Sequence, residues 1–398
     1  MSEFIEAKEE LNLRLAQSER KPVVWSNPTE FDLANKDARD ELNNRFRVGE
    51  IKSVFDPLTN IANDLYEYEN PDKKDDEARK EAFVGDIVRQ GSEYGSWFLF
   101  PWSGELVRYP SVEEHRALRT SRNRDLITKD EQRTLYNSTL AVFGLSVGSK
   151  VVESLVESGI GGKIVIGDPD SIDPSNLNRL RGGLPSVGRK KVDHAAIQIS
   201  ELDPYIEQIH FKDGVTRQNL QILEAIGPDI VFDEVDDLSM KATLRKFGEK
   251  THTPIVMATD LGDRSLIDVE RYDQEQPKLF NGRLKPLEVD LLSNGAMSAE
   301  ESRKLTAKIV GMRHVTTRMI ESVMQIGETL PGMPQLGTTA AIGGAHAAIV
   351  AREIILGRQM SSGRYVSSPK KNLNLEPQAS ALQGLKTALK FVRSTRNS

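Results

Sequence analysis

From residue 138 onward, short apolar runs alternate with segments of helical period, and this rhythm constrains the fold more than any other feature. The apolar runs include Leu140–Phe143, Ile164–Ile166 and Ile230–Phe232, and amphipathic segments such as Ser149–Ser158 and Lys190–Glu201 follow them. Alternation at this spacing predicts parallel strands joined by helices. We therefore expect an α/β fold, with a Rossmann-like, mostly parallel sheet covered by helices on both faces. Its functional site should lie beyond the carboxyl ends of the strands.

The regions around this rhythm differ in character. Residues 1–118 are expected to form an N-terminal accessory region that recognises the substrate or contacts a second subunit. Residues 119–358 are expected to form the α/β domain, with an insertion at about 277–335 where the alternation breaks. Residues 336–356 are rich in Ala and Gly, which predicts a closely packed helix against the sheet. Residues 359–398 are expected to form a basic C-terminal tail.

Within the N-terminal region, two stretches carry predictions of their own. The stretch at 66–80 is almost wholly charged, which indicates a solvated loop or an exposed helix start. The stretch at 96–108 has two apolar runs around Pro-Trp-Ser-Gly, which predicts two strands and a turn. Its aromatic side chains are expected to form a small core. They are Trp97, Phe98, Phe100 and Trp102.

Composition excludes several classes of protein. Among 398 residues there are 53 basic and 59 acidic side chains, a net charge of −6, so we expect no dedicated nucleic-acid binder. The chain shows neither a signal peptide at its N-terminus nor 18 consecutive apolar residues, so we expect a cytoplasmic protein without a membrane partner. It contains no cysteine, which excludes disulfides, thiolate metal sites and a cysteine nucleophile supplied by the enzyme.

The first motif is the glycine loop that follows the strand Leu140–Phe143. It reads Gly144-Leu-Ser146-Val-Gly148, and a helix begins directly after it. Glycines let the backbone approach a phosphate, and the helix N-terminus offers free N–H groups and the positive end of its dipole. The spacing is Gly-x-x-x-Gly rather than Gly-x-Gly-x-x-Gly. The alternative is a plain turn from strand to helix.

Two acids follow the next strand. Asp168 and Asp170 lie 20–25 residues beyond the glycine loop, where an acid can bind the ribose hydroxyls of a nicotinamide dinucleotide or of ATP. The residues alone do not decide which of the two faces the ribose. Turn capping is the alternative, since Asp-Pro and Asp-Ser favour turns.

A third cluster combines Ser-Asn-Leu-Asn-Arg at 175–179 with Gly-Arg-Lys-Lys at 188–191. Fixed cations such as Arg179 and Lys191 stabilise the charge that develops when a triphosphate is split, which a dinucleotide dehydrogenase does not need. The alternative is that Arg189, Lys190 and Lys191 only decorate the start of a helix.

A fourth cluster, Asp-Glu-Val-Asp-Asp at 233–237, ends the strand Ile230–Phe232. Hard oxygen ligands at a strand end suit magnesium bound to phosphates. The alternative is that Asp236 or Asp237 caps the next helix.

The order and spacing of the four clusters resemble the ThiF/MoeB/HesA superfamily of adenylyltransferases, which are related to ubiquitin-activating enzymes. The stretch Arg-Thr-Ser-Arg-Asn-Arg at 119–124 is similar to the arginine segment of that family. The resemblance implies ATP and Mg²⁺, and a homodimer in which one subunit's arginine often reaches the partner's ATP. It also assigns roles to particular residues: Gly144, Ser146 and Gly148 under the nucleotide, Asp168 or Asp170 on the ribose, Asn176, Arg179 and Lys191 on the phosphates, Asp236 on magnesium, and Arg124, with Arg122 as the alternative, as the reaching arginine.

The absence of cysteine separates this chain from the family members that use a thioester. The resemblance implies activation of a substrate carboxylate as an acyl-adenylate with release of pyrophosphate, and an acceptor nucleophile that comes from elsewhere. The carboxylate could belong to a peptide, a small acid or a modified nucleoside. Two other functions stay open: an NAD-dependent Rossmann oxidoreductase and a nucleotide-binding scaffold without catalysis.

Overall fold

The computed structural model describes residues 23–294 and 297–375, together with residues 11, 12 and 14. Of the predicted basic tail at 359–398, the part from 376 onward lies outside the described residues, whereas Gly363–Ser367 forms an edge strand of the large sheet and not a tail. Two sheets organise the described chain, one of four strands and one of seven.

The N-terminal region forms the four-stranded sheet and its helices. The strands are β1 (Thr29–Phe31), β2 (Ser53–Phe55), β3 (Ser96–Phe100) and β4 (Glu105–Tyr109), in the order β1-β3-β4-β2. The helices are α1 (Lys36–Arg47), α2 (Leu58–Glu69), α3 (Glu77–Arg89) and α4 (Val112–Arg119).

The predicted strand pair at 96–108 is confirmed, because β3 and β4 pair antiparallel. Trp97, Phe98 and Phe100 are buried, whereas Trp102 is half-buried and its Nε1 donates to Glu201 Oε1 at 2.9 Å. The prediction of a solvated stretch at 66–80 is wrong at its start. Tyr66 is only 2% exposed, because it continues the apolar face of α2.

The larger sheet carries the predicted alternation. Its strands are β5 (Thr139–Phe143), β6 (Lys163–Gly167), β7 (Glu207–Phe211), β8 (Ile230–Asp233), β9 (Ile255–Asp260), β10 (Ser265–Glu270) and β11 (Gly363–Ser367). Its helices are α5 (Lys129–Tyr136), α6 (Gly148–Glu157), α7 (Lys191–Leu202), α8 (Leu220–Ile226), α9 (Leu238–Thr251), α10 (Pro286–Asn294), α11 (Ala299–Val310), α12 (Thr317–Val323), α13 (Gly337–Ile355) and α14 (Pro369–Asn372).

The strand order is β11-β10-β9-β8-β5-β6-β7, and β5 to β9 pair in parallel. The chain runs outward from β5 through β6 to β7 and then returns to place β8 on the other side of β5. This reversal makes the gap beyond β5 and β8 the topological switch point, where open α/β sheets bind their ligands. The expected Rossmann-like sheet is therefore confirmed. The antiparallel edge strands β10 and β11 extend it beyond the predicted alternation.

Helices bury both faces of the large sheet. On one face α6, α7 and α13 pack through small and β-branched side chains such as Val151, Ala196 and Ala347. On the other face α8 and α9 contribute Leu223, Leu244 and Phe247. Within the part of the chain that the structure describes, no helix is long and apolar enough to cross a membrane.

The N-terminal region contacts one end of α7. Trp25 Nε1 donates to Ser200 Oγ at 3.0 Å, and Tyr109 donates its hydroxyl to the Glu201 carbonyl at 2.9 Å. Tyr205 donates in turn to the Pro110 carbonyl at 2.6 Å. Since α7 has 12 residues, these contacts lie at the end of the helix farthest from Lys191, about 17 Å along its axis.

Candidate active site

The glycine loop between β5 and α6 is pressed against the end of β8. Gly144 has φ +86°, and a Cβ there would stand 2.2 Å from the Glu234 carbonyl oxygen. Only glycine satisfies both the left-handed backbone and this contact. Gly148 opens α6, and a Cβ there would stand 3.2 Å from Val142 Cγ1 and 3.3 Å from Glu234 Cβ. The loop is therefore fixed at the switch point of the sheet.

Asp168 ties this loop to the end of β6. The Leu145 N–H donates to Asp168 Oδ2 at 2.6 Å, and the Asp170 N–H donates to Asp168 Oδ1 at 2.8 Å. Asp168 is 3% exposed, whereas the side chain of Asp170 is 66% exposed. Both carboxylate oxygens of Asp168 thus have backbone donors, and the carboxylate open to a ligand at this strand end belongs to Asp170.

Lys191 lies in the same group of charges. It is the first residue of α7 and is 8% exposed; its Nζ lies 2.8 Å from Asp170 Oδ2 and 3.5 Å from Asp168 Oδ1. Its neighbour Lys190 donates to the Pro169 carbonyl at 2.5 Å. Of these two lysines, the buried one is the residue directed at the acids, so Lys191 does more than decorate the helix start.

Arg179 approaches the glycine loop from the other side. Its Nε donates to Ser146 Oγ at 2.8 Å. The turn that carries it is braced by Asn176, whose Oδ1 accepts the Asp173 N–H at 3.1 Å and which is 8% exposed. Burial lowers the pKa of Arg179, while Asp236 and Asp260 act in the opposite direction. Both cations are therefore connected to the glycine loop. Arg179 binds Ser146 directly, and Lys191 is connected through Asp168, which accepts the Leu145 N–H.

The acids after β8 separate into distinct roles. Asp237 caps α9, since its Oδ1 accepts the Met240 N–H at 2.7 Å. Asp236 is exposed and lies near Arg179, so of the two candidates the capping alternative holds for Asp237. Glu234 turns inward and accepts the Ala258 N–H at 2.7 Å. Burial raises the pKa of Glu234 to about 8.

The sequence prediction missed Asp260, the last residue of β9. Burial raises the pKa of Asp260 to about 7, although the Leu336 N–H and Arg179 act to lower it. Its Oδ2 is buried and forms no hydrogen bond with the described residues. From the sequence we predict a strand over Pro254–Met257, which ends three residues before Asp260. Extending it by the β-forming Thr259 would have brought Asp260 to the same strand edge as the other acids.

Beside Arg179 there is an open cleft of about 640 Å³. One wall is the beginning of α13, another the turn that carries Arg179, and a third the first turn of α6, from which Lys150 points. The lining residues combine apolar and polar side chains: Lys150, Asn178, Arg179, Leu180, Leu336, Gly337, Thr338 and Ala341. Lys150 was also missed, because one lysine in an amphipathic helix carries no signal.

Arg124 lies apart from these residues. Its guanidinium lies 4.4 Å from the ring centre of Tyr68. The adjoining Asn123 donates to Gln132, whose amide donates to the Gly159 carbonyl just beyond the end of α6. Since α6 has 10 residues and begins at the glycine loop, Arg124 belongs to the opposite end of that helix. Within one chain the structure does not bring Arg124 to the predicted site.

Among the acids that follow β8, the open carboxylate that could bind a magnesium ion is that of Asp236. Among the described residues no group of three or more His, Asp or Glu side chains is arranged to hold a metal ion. Magnesium bound with a nucleotide needs only one or two protein carboxylates, because phosphate oxygens and water fill the other positions. The residues present therefore fit a magnesium ion that arrives with a triphosphate.

Comparison with known proteins identifies the family of this chain. The ThiF family matches residues 120–379. An uncharacterised protein of Mycobacterium tuberculosis is 34% identical over 270 residues, which cover 67% of this chain and 37% of that protein. The tRNA threonylcarbamoyladenosine dehydratase of Bacillus subtilis is 35% identical over 154 residues, 38% of this chain and 59% of that enzyme.

Among solved structures, the Escherichia coli tRNA N6-threonylcarbamoyladenosine dehydratase in complex with ATP is similar, with a TM-score of 0.43 and 20% identity. The match covers 61% of this chain and 95% of that one. The chain spans between about a third and three fifths of the length of the two curated relatives. Because the family match extends over more than half of the sequence, the chain belongs to the ThiF family.

Proposed function

We propose that this chain is an ATP-dependent adenylyltransferase that activates a substrate carboxylate without an enzyme cysteine. The observation that carries the proposal is the attachment of two cations, Arg179 and Lys191, to one glycine loop at the switch point of the sheet. A dinucleotide dehydrogenase has no use for such cations. This pairing favours ATP over NAD and disfavours the oxidoreductase.

In the proposed reaction, a carboxylate oxygen of the substrate attacks the α-phosphorus of ATP. A bond from oxygen to phosphorus forms, the bond to the β-phosphate oxygen breaks, and its electron pair leaves with pyrophosphate. Arg179 and Lys191 stabilise the negative charge on the α-phosphate and on the leaving group, because their positions are fixed before the reaction. Asp236 would hold Mg²⁺, which neutralises phosphate charge when it is bound.

The nucleotide itself would lie along the glycine loop. Gly144, Ser146 and Gly148 would pass beneath it, and Asn176 would keep the Arg179 turn in place. At the ribose we favour Asp170, since Asp168 is already saturated by backbone donors. The cleft beside Arg179 would receive the substrate carboxylate.

The chain's lack of cysteine means that the acyl-adenylate passes to a nucleophile on the substrate or on another molecule. A peptide, a small acid and a modified nucleoside remain candidate substrates. The relative from Bacillus subtilis is named for a modified tRNA nucleoside, and the similar Escherichia coli structure contains ATP. A reaction that consumes ATP suits the cytoplasm, where we propose that the protein acts.

The central experiment measures binding of ATP with Mg²⁺ by calorimetry, together with carboxylate-dependent exchange of pyrophosphate into ATP. We expect Arg179→Ala and Asp236→Ala each to lower the rate of exchange by at least about 10²-fold. Arg181→Ala is the matched control, because Arg181 is 64% exposed and pairs with Glu153 and Glu157 at the surface. Binding of NADH in preference to ATP would contradict the proposal, and ATP binding without exchange would favour the scaffold.

Arg124 enters this proposal only through a second subunit. We propose a homodimer in which Arg124 of one subunit reaches the ATP of its partner. Mixing Arg124→Ala with Asp236→Ala protein should restore exchange, because one site of the mixed dimer would then contain both intact residues. If the protein is monomeric and the mixture stays inactive, Arg124 does not act across subunits, and this part of the proposal is wrong.

A further inference from the structure

Four arginines from four separate segments gather around His314, away from the glycine loop. Arg264 comes from the turn between β9 and β10, Arg283 from the segment before α10, Arg313 from the turn after α11, and Arg364 from β11. We call these four residues the arginine cluster. The fold brings them together across about 100 positions, so their proximity is a product of tertiary structure and not of a local charged run.

Two guanidinium groups of the cluster lie beside Gly311, which follows α11. A Cβ at Gly311 would stand 2.9 Å from Arg364 Nη1 and 3.0 Å from Arg283 Nη2. Both guanidinium groups therefore face the same point. Like charges at this separation repel each other unless an anion or an array of dipoles compensates them.

Part of this charge is compensated within the chain. Arg364 Nε lies 2.9 Å from Asp268 Oδ2, and its Nη2 donates to the Val310 carbonyl at 2.7 Å. Arg283 Nε donates to the Lys308 carbonyl at 3.0 Å. These carbonyls belong to the C-terminal turn of α11, where the helix dipole is negative. Asp268 is buried and also accepts a hydrogen bond from Asn281, so its ion pair with Arg364 lies on the inner side of the cluster.

The outer part of the cluster faces solvent. Arg283 and Arg313 are exposed, and Arg313 Nε donates to His314 Nε2 at 2.8 Å. Burial lowers the pKa of His314, and the four arginines lower it further. The imidazole thus lies in the positive field of the arginines and can report on an anion that binds there.

We infer that the arginine cluster binds a phosphate group. Arginine forks match the oxygens of a phosphate, and convergent forks from several segments form a fixed socket for it. The turn that carries Arg264 contacts the beginning of α13, which lines the cleft. Leu261 N–H donates to the Arg264 carbonyl at 2.8 Å, and the Gly262 carbonyl accepts from Thr339, which follows the cleft residue Thr338.

This phosphate is distinct from those of ATP, which the proposed function places at the glycine loop. It can come from inorganic phosphate or from the backbone of a nucleic acid, and the chemistry of recognition is the same for both. The inference stands on the cluster alone and does not depend on adenylation.

The test follows the His314 ring proton by NMR, assigned by its loss in His314→Gln, with saturating ATP and Mg²⁺ to fill the glycine-loop site. Adding inorganic phosphate should shift this resonance and raise the pKa of His314, because an anion relieves the repulsion from the arginines. No shift at up to about 20 mM phosphate, a concentration that would detect even millimolar binding, would overturn the inference.

The variant Arg283→Gln/Arg313→Gln should weaken phosphate binding by about tenfold or more, since it removes two of the charged partners. Lys304→Gln is the matched control, because Lys304 is exposed on the same helix α11 and pairs with Glu300. Arg313→Gln alone leaves the bond to the Lys308 carbonyl intact, so it tests the inference if the double variant unfolds. Equal affinity in Arg313→Gln and wild type would overturn it.

A single-stranded RNA of about ten nucleotides distinguishes the two sources. If RNA shifts the His314 resonance at a far lower concentration than inorganic phosphate, and less so as salt is raised, the site takes a nucleic-acid backbone. If phosphate shifts the resonance and RNA does not, the site takes a free phosphate. Either result supports the cluster as a phosphate site, and the Arg313→Gln comparison applies to both.

Discussion

Asp233 and Asp236 both lie at the carboxyl end of β8, yet Asp233 belongs to a buried network of charges and Asp236 to an exposed one. Asp233 is fully buried, forms an ion pair with Arg245 and lies 3.2 Å from Lys241 Nζ. Burial would raise the pKa of Asp233, but the two cations outweigh it and lower the pKa. Asp236 is exposed, and it has Arg179 nearby without an ion pair.

The buried region continues behind the sheet. Arg245 Nε lies 2.7 Å from Glu270 Oε2, and its guanidinium lies 4.2 Å from the ring centre of Phe280. Glu270 also accepts the Phe280 N–H at 2.6 Å, which fastens the beginning of the insertion to β10. We call this network closed, because each of its two acids, Asp233 and Glu270, forms an ion pair with a buried cation. The charges at the glycine loop are only partly paired with one another. We call this the open region, and the proposed function places the ATP phosphates there.

The largest expected effect breaks the closed network. Asp233→Ala leaves Arg245 and Lys241 without one of their counter-charges in the interior, and we expect a loss of about 3–5 kcal/mol in the free energy of unfolding. Asp236→Ala should change it by less than about 0.5 kcal/mol, because its side chain is exposed. Urea denaturation measures both variants. Equal losses would contradict the distinction between the two regions.

The next effect concerns the open region. Arg179→Ala should lower the rate of pyrophosphate exchange by about 10²–10³-fold, which is the range for removing one fixed charge-stabilising group. Its free energy of unfolding should stay close to that of Arg181→Ala. A loss of stability as large as that of Asp233→Ala would place Arg179 in the structural class instead.

The glycine loop contacts the end of β8, where the two regions meet. Alanine substitutions at two glycines test how closely the loop packs there. Gly144→Ala combines a strained φ with a collision against the Glu234 carbonyl, so we expect a loss of about 3 kcal/mol in stability. Gly188 has φ +83° and nothing within 4 Å of a new Cβ, so Gly188→Ala should cost only about 1–2 kcal/mol. Thermal unfolding of both separates contact from backbone strain, and equal losses would mean that the loop is not pressed onto β8.

The smallest effect sharpens the comparison through pH. Asp260 keeps its proton in the folded chain up to a pH of about 7, whereas in the unfolded chain it ionises above its ordinary pKa near 3.8. Folding therefore takes up a proton in this window, and the stability of the wild type falls as pH rises through it. Asp260→Asn removes this penalty. A rise of the pKa from 3.8 to about 7 corresponds to about 4 kcal/mol, but because Asp260 is partly exposed we expect a gain of about 2 kcal/mol at pH 7 and little at pH 4.

Asp263→Asn is the control for that prediction. Asp263 lies in the next turn and pairs with Lys370 at the surface, so its substitution should shift stability by less than about 0.5 kcal/mol at either pH. If Asp260→Asn and Asp263→Asn show the same pH dependence, Asp260 is not a buried carboxyl of the open region.

Motifs with a local cause were predictable. The glycine loop and the acids at 168 and 170 directly follow apolar runs, and parallel strands bring such ends to one edge. The cations at 179 and 191 lie on the connection that follows β6. The pairings that the sequence could not reveal join distant residues. They include Ser146 with Arg179, and Glu234 with Ala258. The antiparallel strands β10 and β11 were also missed, since edge strands do not extend the alternation with helices.

The order of apolar runs, glycines and charged residues by itself determined that this chain forms a mostly parallel α/β sheet. It also determined that a glycine loop of the nucleotide-binding type follows the central strand. Such patterns act through local backbone preferences and burial, which are written residue by residue. Only the tertiary structure decided which of the acids at 233–237 is enclosed by cations, caps a helix or stays open. It also decided that Asp260 joins the site and that Arg124 does not. The sequence around a charged residue does not show whether that residue is buried. The free-energy cost of burying a charge depends on partners from distant parts of the chain.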